Sequence, residues 1–160
     1  IRYLGGVQNG EIVSMHGEKE SLENLRQICL REEQGDKYFA YLDCFLKKAE
    51  SKNCLEKAKV DKEKLRECEE NKDRGVAYAK EDFELQDKYR ISGSPTLILN
   101  EGRVEEFDFG GRTAQAVKSL LCCGFSKQPK DCSKKLFETQ AAAGFSENYN
   151  SKGSSSGSCE

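Results

Sequence analysis

Eight cysteines, one histidine and a Ser-Pro-Thr step carry whatever chemistry this 160-residue chain can perform. The cysteines are Cys29, Cys44, Cys54, Cys68, Cys122, Cys123, Cys132 and Cys159. A dithiol redox centre needs a low-pKa thiolate, usually at a helix N-terminus, with a resolving cysteine just beyond it. The chain holds no C-x-x-C, and only Cys122 and Cys123 adjoin. Zinc sites draw on closely spaced Cys and His ligands. The single His16 and the scattered cysteines therefore predict no metal site, and no cofactor is expected. His16, next to Gly17 and ahead of a helix, reads as a capping or packing residue that could also tune a nearby thiolate.

The cysteines read better as staples. Cys54 and Cys68 flank two short helices joined at Val60-Asp61, so the spacing predicts that they meet across the pair. Closing about 15 residues stabilises by roughly 3 kcal/mol in the chain-entropy model. Cys132 can reach back to Cys122 or Cys123 over Gly124–Asp131. Cys29 and Cys44 remain, and the four cysteines of this stretch admit three pairings. Stapling requires an oxidising compartment, which predicts an extracytoplasmic protein: secreted, periplasmic or lumenal.

The elements that must position these groups follow from periodicity. Ile1–Val7 and Glu11–Ser14 read as strands around the turn Gln8-Asn9-Gly10. A helical stretch then runs from Glu18 to about Tyr89. Leu22, Leu25 and Ile28 form one stripe, and Tyr38, Tyr41, Leu42, Phe45 and Leu46 form a second at helical spacing. Asp36 and Asp61 are candidate N-caps, and Ser51–Asn53 reads as a turn. Val76, Ala79 and Phe83 mark a longer helix. Thr96–Leu99 is a continuous apolar run, as in a strand buried on both faces. Asn100–Arg103 supplies a turn, and Val104–Phe109 alternates, with Phe107 and Phe109 on one face. Thr113 can cap a helix that packs Ala116, Val117, Leu120 and Leu121 inward. This order predicts α/β architecture.

Composition excludes several classes. Lys and Arg total 26 against 28 Asp and Glu, a net charge of -2 that gives no case for nucleic acid. No run approaches the length of a membrane span. The chain opens Ile1-Arg2-Tyr3-Leu4 without an initiator Met, which predicts a removed leader or a fragment. Residues 146–160, almost all small or polar, predict a disordered tail carrying Cys159 as a stray thiol.

The C-terminal half resembles a known family. Gly93-Ser94-Pro95-Thr96-Leu97-Ile98-Leu99-Asn100, followed by Phe109-Gly110-Gly111-Arg112-Thr113, is similar to the end of the thioredoxin fold in DsbA-like thiol–disulfide oxidoreductases. A second stretch, Ser14 to Cys29, resembles the signature C-Q-H-G-x2-E-C-x2-N-x4-C of the gamma-interferon-inducible lysosomal thiol reductases. His16, Gly17, Glu20, Asn24 and Cys29 match in register, while Ser14, Met15 and Ser21 depart from it. The cysteine spacing through Cys68 also resembles that family's helical insert.

The resemblance implies a thioredoxin-like core from 1–17 and 90–125, with an inserted helical subdomain at 18–89 and a C-terminal extension at 126–145. It implies that Pro95 is cis, and that Ser94, Pro95 and Thr96 hold the extended chain of a substrate, with His16 near the site. Partners would be protein or peptide thiols and disulfides, with room for a redox partner in a membrane. The family's C-x-x-C would lie upstream of Ile1, together with the first strand and active-site helix, and this chain contains no catalytic residue of that kind. The other reading of the same residues is a redox-inactive, disulfide-stapled module that binds peptide beside Pro95.

Overall fold

The computed structural model describes residues 1–140; the side chains of Glu106 and Phe109, the predicted tail and Cys159 lie outside the described residues. The architecture is mixed α/β, with six α-helices and two small antiparallel sheets among the described residues. None of these helices is long and apolar enough to cross a membrane. The chain divides into two compact units, Ile1–Ser94 and a second that begins at Pro95.

The first unit opens with β1 (Gly6–Gln8) and β2 (Glu11–Val13), paired in antiparallel register with Val7 opposite Ile12. Asn9 and Gly10 take positive φ, which fits the two-residue turn that matches strand twist. Five helices follow: α1 (Glu18–Glu33), α2 (Gly35–Lys48), α3 (Ser51–Lys57), α4 (Lys62–Glu70) and α5 (Ala77–Lys88). Asp61 caps α4 by accepting from the backbone N–H groups of Glu63 and Lys64. Asp36 does not cap α2; Gln34 holds that position, and Asp36 sits in the first turn, where its charge suits the helix dipole. Ser51–Asn53 is the first turn of α3 rather than a loop.

One turn of π-helix, Lys72–Val76, leads into α5. Gly75 lies there against α1 and α4: a Cβ at this position would stand 2.5 Å from the Cys68 carbonyl oxygen and 2.9 Å from Leu25 Cδ1. No side chain fits so close an approach. The core gathers Leu25, Ile28 and Leu30 of α1, Tyr38, Tyr41 and Phe45 of α2, Leu65 of α4 and Phe83 of α5. Leu22 and Leu46, assigned inward by spacing, are exposed.

The disulfides correct the expected pairing. Cys54 does not meet Cys68. Cys29 bonds Cys68 across α1 and α4, and Cys44 bonds Cys54 across α2 and α3. The reason is packing: α3 lies against α2 and α4 against α1, so each short helix faces a long one rather than its neighbour in sequence.

The second unit is a hairpin and a helix. β3 (Leu97–Leu99) pairs with β4 (Gly102–Val104), with Leu97 opposite Val104. Asn100 and Glu101 both take positive φ in the connecting turn. β3 is half-buried rather than buried on both faces. The alternating stretch Val104–Phe109 is not a strand: β4 ends at Val104, and Glu106–Phe109 coils into a 3-10 turn, with Asp108 N donating to the Glu105 carbonyl. Gly110 and Gly111 then take positive φ, which breaks any extended continuation. The Thr113 hydroxyl caps α6 (Ala114–Cys123) by accepting from Ala116 N.

Candidate functional site

The second unit carries an open groove of about 860 Å³. Its lining is mostly apolar: Pro95 and Leu97 from the strand entry, Val117 and Leu121 from α6, Phe125 and Leu136 from the segment beyond. Spacing placed Val117 and Leu121 in the core, but they are 39% and 46% exposed; only Ala116, Leu120 and Cys122 of α6 are buried. Helix geometry accounts for this: α6 packs chiefly on the 3-10 turns Glu106–Phe109 and Lys130–Ser133, and an apolar arc wider than the face such short elements cover leaves its edge uncovered. That edge forms the groove floor.

Two charged side chains, Arg112 and Lys118, stand on the groove's border together with Asp131. The wall beyond α6 adds Lys127, Lys130, Lys134 and Lys135 against Asp131 alone. The disulfide Cys122–Cys132 is itself part of the lining. Successive helix residues point about 100° apart. Thus Cys122 turns inward to this bridge while Cys123, expected from sequence as an alternative bridging residue, is an exposed free thiol.

The residues expected to hold substrate are placed as follows. Pro95 and Thr96 line the groove, with Pro95 exposed and Thr96 half-buried. Ser94 is exposed and closes the first unit. His16 belongs to the first unit and is exposed. Its Nδ1 lies 3.0 Å from Glu20 Oε1, and its backbone N donates to Glu20 Oε2 at 3.0 Å. Glu20, in the first turn of α1, thus holds the backbone N–H and side chain of the residue just ahead of the N-cap Gly17, tying the chain to that turn. Asn24 Nδ2 donates to Ser14 Oγ at 3.0 Å, and the buried Ser21 hydroxyl donates to the Glu18 carbonyl. The signature-like residues therefore act locally as an N-terminal clasp for α1.

The first unit also holds a polar network that sequence reasoning missed. The Asp82 side chain is fully buried. It accepts from Arg31 Nη1 and Nη2 at 2.9 Å, from Arg2 Nη1 at 2.7 Å and from Tyr3 N at 2.9 Å. The Glu23 carboxylate accepts from Tyr41, Ser51, Gln27 and Arg26, so one side chain of α1 joins α2 and α3. The Tyr3 hydroxyl donates to Gln27 Oε1 at 2.6 Å and contacts the Tyr38 hydroxyl at 2.8 Å. Among the described residues no buried side-chain nitrogen or oxygen lacks a partner. A network so satisfied holds structure together and leaves no group for a ligand.

Burial, then the hydrogen bond to Tyr38, raises the Tyr3 hydroxyl far above the ordinary tyrosine value of 10.0. Burial and the bond to Glu23 raise Tyr41 likewise, and burial raises Tyr38. These phenols ionise more readily in the unfolded chain. Their contribution to stability is complete below about pH 10 and is lost as the pH climbs through the raised folded values. In an alkaline titration, part of the phenolate absorbance should therefore rise only together with loss of helical circular dichroism. Ionisation of all six tyrosines near pH 10 with the helices intact would contradict this account.

The cysteines bear on compartment as well. Three disulfides among the described residues fit an oxidising environment. No group of His, Cys, Asp and Glu among these residues is arranged to hold a metal ion. No family model, curated protein or solved structure matches the chain.

Proposed function

We propose that this chain is the polypeptide-holding part of a DsbA-like thiol–disulfide oxidoreductase of an extracytoplasmic compartment. The observation that carries the reading is the groove that Pro95 and Thr96 share with Leu97, Val117 and Leu121. Its apolar floor suits the side chains of an extended polypeptide. Its border is richer in Lys and Arg than in acidic groups, which favours acidic residues flanking the apolar ones in the occupant. β3 has no strand partner other than β4 among the described residues, so a second edge of this hairpin can take main-chain hydrogen bonds.

The redox step itself belongs to a C-x-x-C that would lie upstream of Ile1. Six of the seven described cysteines are bridged. The seventh, Cys123, has Ser126 where the second cysteine of a C-x-x-C would stand. Residues 1–160 alone should give background turnover in insulin reduction with dithiothreitol.

Binding is tested by fluorescence anisotropy with a labelled extended peptide of leucines flanked by glutamates. Leu121→Asp places a charge on the groove floor at an exposed position and should weaken binding about ten-fold or more, the equivalent of ~1.4 kcal/mol. Leu46→Asp, equally exposed on α2, should leave binding unchanged. Equal loss in both variants, or in neither, would refute the groove as the binding site.

A further inference from the structure

The segment that forms the outer wall of the groove, from Phe125 to Leu136, has almost no packing of its own. Every residue in it is exposed except Cys132, which is half-buried. Near its far end the wall is clipped to α6 by Gln115, whose Oε1 accepts from Leu136 N at 2.9 Å and whose backbone N donates to the Phe137 carbonyl at 3.1 Å. Lys118 Nζ also donates to the Lys134 carbonyl. Between those contacts and the end of α6, one covalent tie fixes the wall, the Cys122–Cys132 bridge.

We propose that the groove is redox-gated: reduction of Cys122–Cys132 by a dithiol releases the 125–135 wall and switches polypeptide binding off. This rests on the reading of the groove as a polypeptide site. The exchange balances with the dithiol as reductant. One of its thiolates attacks the Cys132 sulfur, the more exposed of the two, and Cys122 departs as the thiolate. The second dithiol sulfur then attacks the mixed disulfide. Cys132 leaves and is protonated, two protein thiols remain, and the reductant ends as its cyclic disulfide. With the bridge gone, Phe125 and Pro129 lose their fixed place along the floor, and the charged groups of the wall move with them.

Access separates this bridge from the other two. Cys29 and Cys68 are 1% and 0% exposed, and Cys54 is 0% exposed. A small dithiol reaches these sulfurs only when the helices open. Cys44 is half-buried like Cys132, but attack there must expel the Cys54 thiolate into a fully buried site, where a thiol is a poor leaving group, whereas Cys132 and its partner Cys122 both line the open groove. The bridge in the second unit is therefore first to yield under limiting reductant.

The experiment titrates the oxidised chain with limiting dithiothreitol, traps thiols by alkylation and assigns them by mass spectrometry. Two readouts follow. Tryptic cleavage after Lys127 and Lys130 reports the wall without any ligand, and anisotropy with the leucine–glutamate peptide reports the groove. Cys123 is alkylated without reductant; of the bridged cysteines, Cys122 and Cys132 should be alkylated first, and cleavage and loss of binding should both change by about ten-fold or more, the scale of losing a pre-organised wall. Cys122→Ser/Cys132→Ser should reproduce both effects without reductant. If the oxidised chain binds no peptide, the groove reading fails, while the cleavage readout still decides whether the wall is gated. If Cys29–Cys68 or Cys44–Cys54 opens first, or the double-serine variant is cleaved and binds like the oxidised chain, the gate is refuted.

Discussion

Asp82→Ala should destabilise the chain by about 3–5 kcal/mol, the range found when one partner of a buried ion pair is removed. The carboxylate has no exposed surface and receives both Arg31 Nη groups, Arg2 and Tyr3 N. Removing it leaves the Arg31 guanidinium, itself 13% exposed, without its buried counter-charge beside Tyr3 and paired with the more exposed Glu32. The loss should appear as a lower urea midpoint with an unchanged slope, because stability falls while the surface exposed on unfolding stays the same. Glu32→Ala removes a more exposed partner of the same arginine and should cost no more than about 1 kcal/mol. A similar loss from both variants would mean that Asp82 is not the anchor described.

The second large effect concerns the longest staple. Cys29 and Cys68 are separated by 39 residues, and Cys44 and Cys54 by 10. Chain entropy assigns roughly 4 kcal/mol to the first closure and about 3 kcal/mol to the second. Cys29→Ala/Cys68→Ala should therefore lower stability more than Cys44→Ala/Cys54→Ala does. Both Cys29 and Cys68 are fully buried, so the lost sulfurs also leave a small cavity between α1 and α4 that widens the gap. Equilibrium unfolding of the two double variants, under conditions that keep the remaining bridges oxidised, decides the order. The reverse order would overturn the packing account of these helices.

Much of the fold was legible wherever a single residue type decides local geometry. Asp61 and Thr113 cap their helices because a side-chain oxygen ahead of an apolar periodic run meets orphan N–H groups. The apolar stripe Tyr38, Tyr41, Leu42 and Phe45 is buried as its spacing required. What escaped depends on which element faces which. Cys54 and Cys68 flank a linker and invite pairing, yet the choice lies with α2 and α1, whose placement is a tertiary fact. Val104–Phe109 alternates like a strand, but the glycines after it turn the backbone before a ladder can extend. Asp82 left a faint trace: a carboxylate next to Phe83 on the apolar side of α5, with Arg31 beside the buried end of α1. A charge on a buried face announces a partner without naming it.

Of the candidate site, Pro95 and Thr96 were legible as a strand entry, and both border the groove. The groove itself was not, because Val117 and Leu121 are indistinguishable in sequence from core residues. Whether an apolar side chain on a helix edge is covered depends on the size of the elements packed against it, here two 3-10 turns of four residues each.

The two bridges of the helical unit are nested, since residues 44 and 54 both lie between 29 and 68. Nesting sets how this unit bears mechanical load. When the unit is pulled from its two ends, tension enters at Cys29 and leaves at Cys68, and the chain between them, a sequence separation of 39, carries none of it. At about 3.4 Å per extended residue, roughly 130 Å of chain is withheld from stretching. The inner bridge bears no load until the outer one is broken. α2, α3 and most of α4 thus travel as an unstretched parcel, and tension reaches only the strands, the front of α1 and the stretch through α5.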